Sequence, residues 1–217
     1  MSFKEFLKKY LPKTIIYKLI YLRDLPQKIK INFGKYMIKL LVTEIKDKKN
    51  KKIFSLRNFG GSTISRGFHL FSSSPVMTKW IDSFDNNSFF VDIGANIGLY
   101  SLYAATKKIN VIAFEPESLN FACLNLNIKD NNLEKYITAY PISIHDKNEV
   151  SVLNMRTMKF GGSGSSFDTT VDENQENFDP IFKQGSISFK LDEVLKKKNF
   201  IPNYIKIDGD GNELNVI

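Results

Sequence analysis

The sequence predicts an α/β protein built on a parallel sheet, and three observations carry that prediction. Strand-like and helix-like segments alternate from residue 89 onward, at lengths that suit βαβ units. The stretch FVDIGANIGLYS, residues 90–101, reads without a break as strand, glycine turn and helix start. Glu115 closes the second strand, 21 residues after Gly94. A chain of 217 residues is long enough to bury the core such a sheet needs.

Taken in order, residues 3–22 and 33–46 place apolar side chains at near-helical spacing among lysines, which predicts helices. Asp47–Lys52 is so charged that it predicts a solvated linker. From Ile53 to Phe71 the pattern is β-like and punctuated by glycine, so His69 belongs to a packed hairpin in this reading. Val76–Phe84 follows as a short helix with Trp80 and Ile81 inward. The alternation then runs strand 89–93, helix 97–107, strand 111–114, helix 118–131 and strand 137–144. Leu119, Ala122, Cys123 and Leu126 form the inward face of the second of these helices. An insertion comes next, with an edge strand at 149–155, a flexible FGGSGSSF loop at 160–167 and a strand at 187–191. A helix over 192–198 leads to a fourth core strand at 204–207.

The charge is unevenly spread. Residues 1–57 hold 16 of the 31 basic residues and 4 of the 23 acids, a net of +12, which leaves −4 for the rest. We therefore divide the chain into a basic, mostly helical N-terminal extension, 1–57, and a catalytic-type α/β domain, 58–217. A basic amphipathic segment of this kind suits an anionic membrane surface; equally, it suits helices packed on the main domain with a lysine-rich outer face. No run approaches the roughly 18 apolar residues of a spanning helix, and no signal sequence is evident. The single cysteine excludes an internal disulfide and fits a reducing compartment. Those features predict a cytoplasmic protein with a peripheral membrane contact as its one departure. No Cys/His cluster has metal-ligand spacing, so no metal is expected. No basic–aromatic pattern marks a nucleic-acid module in the α/β domain, and no nucleic-acid partner is expected.

Asp92, Gly94, Asn96 and Gly98 depart from the dinucleotide fingerprint G-x-G-x-x-G, since Leu99 stands where the third glycine belongs. Asn96 replaces the middle glycine and tolerates a left-handed backbone. Asp92 would repel a pyrophosphate but suits a ligand with an ammonium or sulfonium centre. Glu115 can accept hydrogen bonds from both hydroxyls of a ribose, or cap the helix that begins near Pro116. S-adenosylmethionine matches both acids, whereas NAD matches only Glu115.

FVDIGANIGLYSLYAA, VIAFEP, YPISIHDK, LDEVL and YIKIDGDGNELNVI, in that order, resemble the FkbM family of S-adenosylmethionine-dependent methyltransferases over about residues 75–217. The resemblance implies a Rossmann-like methyltransferase sheet and O-methylation, often of sugars, polysaccharides or secondary metabolites. It implies that Asp92, Gly94, Asn96 and Gly98 line the methionine end and that Glu115 takes the ribose. Ser143 to Asp146 follow strand three, where such enzymes hold the adenine. Gly209 replaces a residue that is usually hydrophobic, and the sheet is expected to be truncated after its fourth core strand. A protein partner would then cover the exposed sheet edge.

Methyl transfer needs alignment and a group to take the hydroxyl proton. Asp208, at the C-terminal end of a parallel strand, is the candidate for that role, or else a cap of the following helix. Asp210 and His145 are further candidates, His145 being placed at the surface. Lys206 shares a side of its strand with Asp208, and Glu213 is expected to pair locally. The acceptor is a hydroxyl-bearing small molecule or glycan. The rival readings are a nicotinamide-dependent dehydrogenase and a non-catalytic module that binds a cofactor or a surface.

Overall fold

The computed structural model describes residues 42–217 apart from 48, 72–74, 172–173, 175, 210–212, 214–215 and 217. The helices expected within residues 1–41, and Asp210, lie outside the described residues. Thr43–Ile217 forms one compact unit.

Its centre is a four-stranded parallel sheet made of β3 (Phe89–Ile93), β4 (Asn110–Phe114), β5 (Ile137–Tyr140) and β10 (Tyr204–Ile207). The spatial order is β10-β3-β4-β5, so the chain reverses direction across the sheet between β3 and β10. This is the parallel βαβ sheet that the alternation predicts and the Rossmann-like architecture that the resemblance implies. Both faces are covered, as a parallel sheet requires. Phe90, Val111 and Ala113 pack with Leu102, Cys123, Leu124 and Ile128 from α3 (Leu99–Thr106) and α4 (Ser118–Asp130). Val91, Ile93, Ile112 and Phe114 pack on the opposite face with Leu195 of α5 (Leu191–Lys197).

A second sheet, ordered β6-β9-β7-β8, is built from the insertion. It comprises β6 (Ser143–Ile144), β7 (Glu149–Met155), β8 (Ser165–Phe167) and β9 (Phe182–Phe189). The predicted strand 137–144 therefore splits. Pro141 lies at the break, and after it the chain leaves the core sheet to pair with β9 through Ser143 and Ile144. The FGGSGSSF loop likewise ends in a strand, because Ser165–Phe167 pairs with Leu153–Met155.

The region before β3 corrects three expectations. Val42–Lys46 is strand β1, not helix, and pairs with β2 (Lys52–Arg57). The β-branched Val42, Thr43 and Ile45 favour that extended state. The DKKNKK segment is the tight turn between them. Asp47 accepts the backbone N–H groups of Lys49 and Lys51, each at 2.8 Å, which explains a sharp reversal in so polar a stretch. The hairpin expected to include His69 is instead α1 (Gly61–His69). Thr63 Oγ1 starts it by donating to Gly60 O and accepting from Phe59 N. Gly67 lies where a Cβ would meet Ile45 Cδ1 at 3.1 Å and Leu56 Cδ1 at 3.3 Å, so that glycine marks close packing on the hairpin, not a turn. α2 (Pro75–Asp82) matches its prediction, with Ile81 buried and Trp80 edge-on to Phe84, Phe90 and Tyr204.

The inward face of α4 is also different from the expected one. Asn120, Cys123, Leu124, Asn127 and Ile128 are buried, whereas Leu126 is exposed. Asparagines face inward here because open backbone groups need partners. Asn127 Oδ1 accepts Arg57 N at 2.8 Å and its Nδ2 donates to Ile97 O at 2.8 Å, while Asn131 accepts Ser55 N and donates to Ser55 O. Burial pushes the Cys123 thiol up to about 12, so it is a packed side chain and not a nucleophile. No helix among the described residues is long and apolar enough to cross a membrane.

Candidate active site

A cleft, partly open to solvent, lies at the C-terminal ends of β3, β4 and β10. Such a position is where open α/β sheets bind ligands. The turn after β3 forms one wall. Gly94 N and Ala95 N both donate to Phe114 O at 3.0 Å, which ties the turn to β4. Gly94, Asn96 and Gly98 all adopt positive φ, at 71°, 53° and 89°. Asn96 is thus left-handed, as its place in the motif predicts.

Gly94 is required by two separate constraints. A Cβ there would stand 1.9 Å from Asp208 O, because the turns after β3 and β10 cross at that point. Gly94→Ala is expected to cost more than the roughly 1–2 kcal/mol of a left-handed alanine alone. The cost would be read as a lowered urea midpoint. An unchanged midpoint would show that the two turns can separate freely.

Glu115 follows β4 and is 5% exposed. Its Oε2 accepts Asn96 N at 2.7 Å and its Oε1 accepts Glu117 N at 3.0 Å. The carboxylate therefore bridges the glycine turn and the start of α4. The helix cap itself is Glu117, which accepts Leu119 N and Asn120 N. That result removes the capping alternative for Glu115.

The loop before β8 forms a strap along the cleft, with Gly162 and Ser163 among its lining residues. Gly162 O accepts Asn96 Nδ2 at 2.6 Å and Asn120 Nδ2 at 3.1 Å, and Gly161 N donates to Asn120 Oδ1 at 2.7 Å. Arg66 Nε of α1 donates to Gly161 O at 2.9 Å, and Phe160 packs on Phe59. Five polar or aromatic contacts hold a segment whose composition alone suggests a free loop.

Opposite the strap, the β10–β3 register sets Lys206 beside Asp92. Asp92 is fully buried; its Oδ2 accepts Ser101 Oγ at 2.6 Å and its Oδ1 accepts Lys206 Nζ at 3.0 Å. Lys206 Nζ also donates to Ile93 O and Gly94 O at 3.3 Å and lies 3.3 Å from Asp208 Oδ2. Burial alone would lower the Lys206 pKa. The charges of Asp92 and Asp208 and their hydrogen bonds outweigh it and hold the ammonium above the usual lysine range. Asp208 is 63% exposed at the cleft mouth. At the far end, Ser143 is buried with its Oγ 3.3 Å from Ser186 Oγ. Phe114, Ile144 and Phe167 make that end apolar.

Residues 92–217, more than half of the chain, match the Methyltransferase FkbM domain. The chain belongs to the FkbM methyltransferase family. No curated protein matches it. Three solved structures are similar at a distance. A SAM-dependent methyltransferase from Agrobacterium tumefaciens is 13% identical with a TM-score of 0.32, over 42% of this chain and 30% of that one. The complex of aTrm5 with tRNALeu gives 17% and 0.34, over 56% and 43%. P. horikoshii TYW2 with MeSAdo gives 19% and 0.32, over 64% and 62%. The chain thus spans less than two thirds of the length of each.

Within this FkbM chain, Gly94, Asn96, Glu115, Ser143 and Asp208 gather at the cleft. Three other residues singled out in the sequence do not line it. Asp92 turns away into the protein toward Ser101 and Lys206, because alternation along β3 puts it on the α3 side with Phe90. Gly98 packs beneath α3, where a Cβ would meet Leu124 Cδ1 at 2.4 Å. Asp146 is half-exposed with its Oδ1 2.6 Å from His145 Nδ1. His145 is the inverse case. Expected at the surface, it is buried and lines the cleft, since its N–H joins the β9 ladder at Phe189 O and its ring lies 5.5 Å from Phe167. Glu213 Oε1 accepts Gly209 N at 2.9 Å, the local pairing expected of it. Asn120 and Arg66 also line the cleft, and neither belongs to a motif the sequence shows.

Proposed function

We propose that the chain is an S-adenosylmethionine-dependent methyltransferase that methylates a hydroxyl oxygen of a sugar, polysaccharide or secondary metabolite. Family membership supports methyl transfer, and one geometric observation carries the choice of cofactor. The buried Glu115 carboxylate lies in the cleft beside the Asn96 turn, with no glycine at 99 to admit a pyrophosphate. The donor set fits the cofactor. Glu115 would accept from the ribose hydroxyls, and the apolar end around Ile144 and Phe167, with Ser143, would take the base. The Gly94–Ile97 turn would hold the amino-acid end.

The bound cofactor supplies an electrophilic methyl on a sulfonium. The protein's own task is alignment and proton removal. Asp208 Oδ2 stands at the mouth beside Lys206, which holds the carboxylate in place as acceptor of the hydroxyl proton. Gly162 and Ser163 of the strap line the cleft.

Calorimetric titration of the chain with S-adenosylhomocysteine, with NAD as the control, tests this reading. Saturable binding of the first and none of the second is expected. Binding of NAD alone would transfer the chain to the dehydrogenase reading, and binding of neither by a folded chain would end the cofactor assignment.

A further inference from the structure

The charged side chains lining the cleft are nearly all neutralised inside the protein. Glu115 and Glu117 accept backbone amides, Lys206 sits between two carboxylates, and Asp208 has Lys206. Arg66 is the exception. It lies on α1, before the segment that matches the family, and it lines the cleft half-buried. Its Nε donates to a neutral carbonyl, Gly161 O, and no carboxylate lies within ion-pair distance of it among the described residues. The bond at Nε fixes the plane of the guanidinium and leaves Nη1 and Nη2, a parallel pair of donors, without a partner among the described residues. A half-buried cation with its fork unengaged is an unfavourable arrangement until an anion completes it.

We propose that Arg66 is the anion anchor of this cleft, taking a carboxylate or phosphate oxygen pair of the ligand end-on through Nη1 and Nη2. Its place supports that role. Gly161, which it grips, adjoins Gly162, and Gly162 O is held by Asn96 of the glycine turn. Arg66 therefore stands on the turn side of the cleft, away from the apolar end. The inference rests on the methyltransferase reading above for the two possible sources of the anion. One is the carboxylate at the amino-acid end of the cofactor; the other is an acidic group on the methyl acceptor.

The test compares wild type, Arg66→Gln and Arg66→Lys with three probes: S-adenosylhomocysteine, 5′-methylthioadenosine, which lacks the amino-acid end, and inorganic phosphate. If the cofactor carboxylate is the anion, Arg66→Gln weakens S-adenosylhomocysteine roughly ten- to a hundredfold, Arg66→Lys recovers part of the loss, and 5′-methylthioadenosine is unaffected. If the anion belongs to the acceptor, both nucleosides bind all three proteins equally. Phosphate then binds the S-adenosylhomocysteine-saturated wild type, shifting its Arg66 Nε–H resonance, and fails to bind Arg66→Gln. Equal loss of both nucleosides in Arg66→Gln would overturn the proposal, because it marks a structural bond to the strap. Equal affinities with no phosphate binding would overturn it too. Should wild type bind neither nucleoside, the cofactor reading falls, and Arg66-dependent phosphate binding by the free chain still decides the anchor.

Discussion

Glu115→Gln is expected to weaken both S-adenosylhomocysteine and 5′-methylthioadenosine by roughly ten- to over a hundredfold, although it removes only a charge. The reason lies in how the carboxylate is used. Each oxygen accepts a different buried backbone N–H, Asn96 on one side and Glu117 on the other. A glutamine offers one acceptor and one donor, so one of those amides must face an NH₂ group. Leaving a buried donor unsatisfied costs about 1–3 kcal/mol, and the strain falls on the turn that shapes the cleft. The ribose, common to both probes, would also lose its charged acceptor. Urea denaturation and calorimetry on the same samples separate the two effects. A folded Glu115→Gln chain that binds both nucleosides like wild type would remove Glu115 from the ribose role. Neither arm of the Arg66 test touches 5′-methylthioadenosine, so loss of that probe is specific to Glu115→Gln and separates the two variants.

Most of the sheet was legible from residue 89 onward, since β3, β4, β5 and β10 are short apolar runs separated by helices, and local pattern decides such elements. What the pattern missed is where tertiary contacts override it. Gly67 and the strap glycines look like punctuation, yet Gly67 marks close packing against Ile45 and Leu56, and the Gly162 carbonyl is clamped by two asparagines. Asn120 and Asn127 look like surface positions of α4 because a count of apolar residues cannot see which backbone groups lack partners. The site followed the same division. The positive φ of Asn96 and the cleft position of Glu115 follow from local chemistry at a strand end. The ion-pair partner of Asp92 does not, because Lys206 lies 114 positions away in the chain and is adjacent only through the β10–β3 register.

Lys206→Met is expected to be the most damaging single change in the α/β unit. Asp92 is fully buried, and its neighbours are one hydroxyl and the Lys206 ammonium. Removing one partner of a buried ion pair leaves an uncompensated charge and costs on the order of 3–5 kcal/mol, much of the stability of an ordinary domain. It would also free the carbonyls of Ile93 and Gly94 and detach Asp208, so the turns after β3 and β10 would loosen together. Urea denaturation would read the loss directly. The double variant Asp92→Asn/Lys206→Met separates charge from shape: it should recover most of the lost stability, because the buried charge disappears with its partner. Lys206 also carries a pH signature. Its folded pKa is raised above the ordinary lysine value, so the stabilisation is fully present below that ordinary value and is lost as pH rises through the higher folded value. The wild-type chain should therefore lose an increment of stability in that alkaline window that the double variant does not lose. A Lys206→Met chain as stable as wild type would show that water reaches Asp92, and the ion pair would then be an accessory to the fold, not its fastening at the active-site end of the sheet.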